Sequence, residues 1–275
     1  MVSTENDPVL ALITDDYATS GSFINLVCIK TNVRAIYTSA GEVRNLIHMK
    51  QKAKRPAAGA KAKGERTRQA ILESAVHIAS AEGLEGLTIG RLATELDMSK
   101  SGLFAHFGSK EELQVATVDA ARAVFIREVI RPAFEAQAGI LRLWKLCDIW
   151  LSYVESGVFR GGCFFAAAAS EFDSRPGVVR DSIAEIMKEW LAGLRRAVIE
   201  AQEAGQLDKD LDPTQLAFEF NSLELGANWA FKLYADGQAF VRARQAILER
   251  LRCHATPAAA ALLPVKLRRR RKFAR

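Results

Sequence analysis

From Thr67 to about residue 253, apolar side chains return at helical spacing almost without a break. Ile71, Leu72, Ala75, Val76, Ile78 and Ala79 form one face of a first helix, since residues three and four apart share a side of the helix. The glycines of GLEGL at 83–87 interrupt it. Thr88 is placed to cap a short second helix, with Ile89, Leu92, Ala93 and Leu96 at i, i+3, i+4 and i+7. Asp97-Met98 makes a tight turn, and Ser99 caps a third helix that ends near Gly108. Ser109 and Glu112 spell a capping box for a fourth helix running toward Arg131-Pro132. Later helices are predicted at 140–156, 162–172, 177–204, 214–235 and 238–253. Gly205 stops the stripe Val179, Ile183, Ile186, Met187, Trp190, Leu194, Val198. Asp212-Pro213-Thr214-Gln215 opens the next helix with an N-cap, Pro at N1 and Gln at N3. The expected fold class is all-α.

Two short helices joined by a tight turn have the geometry of a helix-turn-helix. Ile89, Leu92, Ala93, Leu96, Met98, Leu103 and Phe107 would pack them together, with the small Ala93 at the crossing. Lys100, Ser101 and their neighbours are left projecting. Three cations sit at helix starts: Arg91, Lys100 and Lys110. A cation there is unfavourable by ~0.3–1 kcal/mol, unless a polyanion lies across those ends, where backbone N–H groups also bind phosphate. One such cation alone reads as a solvated side chain; three beside this turn point to DNA. Gly102 inside the third helix costs about 1 kcal/mol relative to Ala, which a close approach of DNA or of a packed neighbour would justify.

Charge distribution sharpens this picture. Residues 50–70 hold eight Lys/Arg and one acid, Glu65, and residues 256–275 hold seven Lys/Arg and no acid. The rest of the chain carries 23 basic against 31 acidic residues. An acidic body with two basic arms suits local contact with a polyanion; solvated tails are the alternative. Cys28, Cys147, Cys163 and Cys253 are scattered, and so are the histidines. Neither a disulfide framework nor a metal site is expected, and a reducing cytoplasm is the simplest setting. No apolar run approaches the ~18–20 residues of a membrane span, so no membrane partner is expected. The opening segment is acidic, unlike a signal peptide.

Residues 88–113, TIGRLATELDMSKSGLFAHFGSKEEL, resemble the DNA-binding signature of the tetracycline-repressor (TetR) family, in their serine, glycine, leucine-aromatic, His-Phe and lysine spacing. The likeness covers residues 65–125 strongly, and the helical remainder agrees in length and order. It implies three helices forming a DNA-binding domain at 65–125, with the motif at 88–107. The fourth helix would be a connector, followed by a ligand-binding and dimerising domain at 126–253. By the same resemblance Thr88, His106 and Lys110 would contact phosphate, and Arg91, Lys100 and Ser101 bases or backbone. Ser99, Gly102 and Phe104 complete the candidate DNA-binding set. Phe104 stands where tyrosine is usual, so a hydroxyl donor to phosphate is missing. Asp97 stands where glycine is common, and Asp tolerates the left-handed conformation better than most residues.

Residues 1–48 lie outside the likeness and are expected to be disordered or a misassigned start, with translation beginning at Met49. Residues 49–64 are expected to be a basic linker and 254–275 a basic disordered tail.

Helix 214–235 is apolar on two faces: Leu216, Phe220, Leu223, Ala227, Ala230 and Tyr234 on one, Phe218, Leu225, Trp229 and Leu233 opposite. One face can pack on the body and the other needs a partner, part of which the last helix could supply within the chain; a simply buried central helix is the alternative. The resemblance implies a homodimer through Phe218, Leu225, Trp229, Leu233, Phe240 and Ile247. Two recognition helices would then meet a pseudo-palindromic operator. Phe125, Trp144, Trp150, Tyr153, Phe164, Phe165 and Trp190 gather in the middle helices and are candidate contacts for an unknown small-molecule inducer; plain core is the alternative. Cys147 and Cys163 read as oxidant sensors or as inert buried thiols.

No nucleophile–base pair, metal cluster or phosphate loop is visible, and GSKEEL lacks P-loop spacing. The expectation is therefore not an enzyme, with no cofactor, but a sequence-specific regulator, most simply a ligand-responsive repressor of double-stranded DNA. The alternatives are a nonspecific nucleic-acid binder using its basic arms, or a helical interaction protein.

Overall fold

The computed structural model describes residues 58–265. Expectations for residues 1–57 and 266–275, including a start at Met49, lie outside the described residues. What is described is helical: α1 Ala58–Glu82, α2 Ile89–Glu95, α3 Lys100–Phe107, α4 Lys110–Phe125, a π-helical turn Ile126–Ile130, α5 Arg131–Phe134, α6 Ile140–Glu155, α7 Phe164–Phe172, α8 Val178–Glu203, α9 Pro213–Tyr234, α10 Ala239–His254 and α11 Pro257–Ala260.

The first three helices close on the apolar positions the sequence points to. Ile71, Leu72, Ala75, Val76, Ile78 and Ala79 of α1 are all buried, with Leu92, Ala93, Leu103 and Phe107. The caps form as expected. Thr88 Oγ1 accepts from Arg91 N at 3.0 Å, Ser99 Oγ from Gly102 N at 3.1 Å and Ser109 Oγ from Glu112 N at 3.0 Å. Each satisfies one of the amides that a helix start leaves unpaired. Asp97 takes φ 50°, the left-handed position that its place in the turn demands. Arg68 lies over the Phe107 ring at 4.7 Å, so this member of the basic arm is used to hold α3 against α1.

α1 begins at Ala58, inside the segment expected to be a linker. Its run of alanines and lysines favours helix enough to carry its glycines. The fourth helix passes through Pro132 and ends at Phe134. Proline has no N–H to return to the preceding turn, and the turn just before it widens to π geometry. Residues 254–265 are not the start of a disordered tail. Thr256 caps α11, Ala259 and Leu263 are buried, and Leu207 pairs with Ala255 in an antiparallel bridge. Two apolar side chains at helical spacing suffice to dock this turn onto the loop after α8.

The second domain is layered around α8, which packs against α4, α6, α7 and α9. Arg122 of α4 meets Glu189 of α8 at 2.7 Å, tying the connector helix to this layer. Arg244 of α10, only 10% exposed, reaches Asp148 at 2.8 Å, Glu155 at 2.9 Å and Ser152 Oγ at 2.9 Å, all on α6. A buried guanidinium satisfied on three sides fixes the register of α10 on α6.

α9 shows both predicted faces. Leu216, Phe220 and Ala227 are buried, whereas Phe218, Trp229, Leu233 and Tyr234 are 56–62% exposed. Tyr234 thus leaves its expected stripe, because the helix ends there and Ala235 turns left-handed. Two expected interface residues also move: Phe240 and Ile247 have no exposed surface. Phe240 stacks on Phe231 at 4.9 Å, so α10 turns these side chains into its own chain's core and not toward a partner.

Candidate nucleic-acid interface and effector core

The outer surface of α3 carries Lys100, Ser101, Phe104 and Ala105, all exposed. Thr88 is exposed at the start of α2, and Lys110 opens α4 alongside. Lys100 makes no ion pair among the described residues, and its ammonium end lies over Gly90, the second residue of α2. Its charge therefore faces the amino ends of two helices, where phosphate binds best. His106 is half-buried with its ring beside Phe107. Ser99 is occupied as a cap and shares its hydroxyl with Ser101 at 3.3 Å. A Cβ at Gly102 would meet only the Ser99 hydroxyl. No neighbouring helix explains that glycine; it keeps the cap free and the outer surface low.

The other two helix-start cations are not free. Arg91 forms a fork on Glu82, with contacts of 2.7 and 3.0 Å, and reaches Glu95 at 2.9 Å. Lys110 Nζ lies 2.9 Å from Glu85 Oε1. The charge argument thus rests on Lys100 alone in the unbound chain, since acids from α1 and the following turn offset the other two. Hydrogen bonding by Lys110 holds the Glu85 carboxyl below its usual range.

Of the aromatic candidates, Phe125, Tyr153, Phe164, Phe165 and Trp190 come together. Phe125 is the hub: Tyr153, Phe165 and Trp190 each meet it edge-on, with centroids at 5.9, 6.0 and 5.3 Å. Phe164 joins through Phe165. Trp144 and Trp150 are buried on α6 but make no ring contact with this cluster among the described residues. Phe159, which the sequence reading omits, belongs to it through Tyr153 and Phe164. Cys147 and Cys163 are buried, and burial pushes the Cys163 thiol up to about 11. Protonated thiols of this kind are poor nucleophiles.

The sequence reading also omits Glu224. This carboxylate on the buried face of α9 is fully enclosed, beside the Cys147 thiol and the Trp190 indole N–H. Burial holds it well above the usual carboxylate range; hydrogen bonding by the Cys147 thiol and the Trp190 indole acts the other way. Tyr153 Oη is likewise enclosed and has no hydrogen-bond partner among the described residues.

Residues 71–117 match the family described as "Bacterial regulatory proteins, tetR family", and residues 139–247 match "Tetracyclin repressor-like, C-terminal domain". The chain is 26% identical over 196 residues to the HTH-type transcriptional regulator TcmR of Streptomyces glaucescens, covering 68% of this chain and 83% of that protein. A TetR transcriptional regulator from Chloroflexus aurantiacus superposes with a TM-score of 0.66 at 22% identity, over 70% of this chain and 98% of the other. AibR, solved with isovaleryl coenzyme A and operator DNA, superposes with a TM-score of 0.54 at 24% identity, over 68% and 97%.

Proposed function

The chain belongs to the TetR family of bacterial transcriptional regulators, and on that premise we propose that it is a ligand-responsive repressor that grips a pseudo-palindromic operator as a two-fold dimer. The observation that carries this reading is the exposed surface of α3, where Lys100, Ser101 and Phe104 stand clear of the body beside Thr88 and Lys110. A helix held by a buried Leu103 and Phe107 and offering its opposite side outward is suited to the major groove.

Dimerisation is supported by the bare apolar face of α9. Phe218, Trp229 and Leu233 line it around Gly226, where a Cβ would meet nothing within 4 Å. A contiguous apolar face with a small residue at its centre suits close approach by a second copy. The aromatic cluster around Phe125, on the connector helix itself, is the proposed effector site. A ligand there would press on α4 and so on the spacing of the two reading helices. Family membership points to a regulator and not an enzyme, and the cytoplasm is the proposed compartment.

Footprinting of upstream DNA tests the reading. Two protected half-sites about one helical turn apart are expected, with protection lost on adding an effector. Equal affinity for scrambled DNA would instead favour a nonspecific binder.

A further inference from the structure

We infer that residues 159–163, between α6 and α7, form a strap that fixes each reading domain to the dimer helix α9. Gly161, Gly162 and Asn228 thereby set the operator spacing that the protein accepts. The inference rests on the dimeric reading proposed above and adds which residues hold its two halves at their distance.

The two adjacent glycines of RGGC, residues 160–163, answer to different neighbours. Gly161 is not left-handed, so only space explains it: a Cβ there would run into the Ser80 carbonyl on α1. Gly162 takes φ 89°, and a Cβ there would run into Asn228 Oδ1 on α9. That oxygen accepts a buried hydrogen bond from Cys163 N at 3.0 Å. Lys232 Nζ, one turn further along α9, donates to the Arg160 carbonyl. At the other end the buried Phe159 ring stands edge-on to His77, one turn before Ser80, at 5.6 Å. Five consecutive residues thus meet α9 at Asn228 and Lys232 and α1 at His77 and Ser80.

Asn228 and Lys232 each precede a residue of the exposed apolar face, Trp229 and Leu233. The strap therefore meets α9 along the flank of the surface proposed for the second copy. Each α1 is located from the two-fold axis through one short, packed segment. Little in it can give, because the Ser80 carbonyl belongs to the helix that holds the core of the reading domain. A methyl at position 161 needs about 3.5 Å to that oxygen, which moves α1 outward by on the order of 2 Å. Two-fold symmetry doubles the change to about one base-pair step of about 3.4 Å. One base pair also turns a half-site by about 35° around the duplex, so operator spacing reports such a movement sharply.

The test uses the full-length protein and the operator found by footprinting, remade with its centre shortened or lengthened by one and two base pairs. Gel shifts give the affinity for each spacing relative to the native one. A single half-site duplex, measured alongside, removes any general loss of stability. Wild type is expected to favour its own spacing about tenfold or more over a change of one base pair. Gly161→Ala should move the optimum by about one base pair. Asn228→Ala releases the strap and should flatten the preference to within about threefold, while Asn228→Asp keeps the accepting oxygen and should retain it. A preference that Asn228→Ala leaves intact, or that Asn228→Asp loses equally, overturns the inference, and so does an unmoved optimum in Gly161→Ala. Should Gly161→Ala fail to fold, the two Asn228 variants decide. A wild type that protects no operator sinks the regulator and this inference with it; protection whose spacing preference the variants leave unmoved sinks only this inference.

Discussion

Glu171 on α7 accepts a hydrogen bond from the backbone N–H of Leu84, at 3.2 Å, in the turn between α1 and α2; its second oxygen accepts from Glu85 N at 2.9 Å. One carboxylate of the C-terminal domain therefore caps a turn of the DNA-binding domain. The same junction is closed by Gly161, where any Cβ would collide with the Ser80 carbonyl, and by Phe159 against His77 at 5.6 Å. α7 also carries Phe164 and Phe165 of the aromatic cluster. Glu171→Ala should cost about 1 kcal/mol of stability, since its bonds are partly solvated. It should also shrink the change in operator affinity that an effector produces. Melting and effector-titrated gel shifts check both; an unchanged effector response would remove this junction from the route.

Lys110 must leave Glu85 before it can meet a phosphate. The pair is half-exposed and worth at most about 1 kcal/mol. Glu85→Gln should therefore tighten binding to every DNA sequence by up to about fivefold at low salt, and the gain should vanish as salt screens the charge. Titration does not reach the same state near neutrality. A carboxyl whose folded pKa is lowered keeps its pair above the ordinary range and loses it only as the pH falls through the folded value. Anisotropy against specific and scrambled duplexes makes the comparison.

The α9 face gives a prediction about assembly. Trp229→Glu places a charge among Phe218, Leu233 and Tyr234, at a position 56% exposed in the single chain. The loss should be about 2 kcal/mol or more, as for a central aromatic anchor. Sedimentation should then give the monomer mass with an unaltered helical spectrum, and half-site cooperativity on DNA should disappear. Phe240→Glu makes the contrast: its side chain has no exposed surface, so it should unfold the domain and not merely part the dimer.

Periodicity and caps made the helices legible, because both act within a few residues. Thr88, Ser99 and Ser109 bond an amide three residues on, a relation that spacing alone displays. Pairings across the fold were not legible in that way. Nothing near Arg91 in the sequence says that Glu82 will reach it, or that Glu85 will hold Lys110 from 25 residues away. Phe240 and Ile247 went to the wrong side because an apolar stripe states that a face is covered, not by which chain. Glu224 left a fainter signal. It stands four residues after Phe220 and three before Ala227, and so is an acid on the buried stripe of α9.

That buried acid predicts a pH dependence. Burial raises its pKa above the unfolded value, so between the two values the native state holds a proton that the unfolded chain has released. Stability then falls as pH rises through this window and is fully present below it. Glu224→Gln cannot titrate and should lack this falling limb. Its melting temperature should gain on wild type between mildly acid and neutral pH, with Cys147 and Cys163, both raised by burial, protonated throughout. Parallel slopes for the two proteins would mean that Glu224 is already ionised and paired.

Phe104 is 53% exposed on the reading helix, between Leu103 in the core and the outer surface. Aromatic surface left in water beside Lys100 and Ser101 has a use only when something covers it. The missing hydroxyl matters if that cover is a phosphate. Phe104→Tyr adds one donor at a site that already projects outward, so the fold should tolerate it with a change in melting of about zero. A new bond to a charged oxygen is worth about 1.5–3 kcal/mol. Operator affinity should rise by about tenfold or more, and nonspecific affinity in step, because phosphate contacts carry no sequence. A weaker operator complex would mean that the Phe104 ring packs against a base or sugar and that its hydrocarbon edge is what the duplex reads.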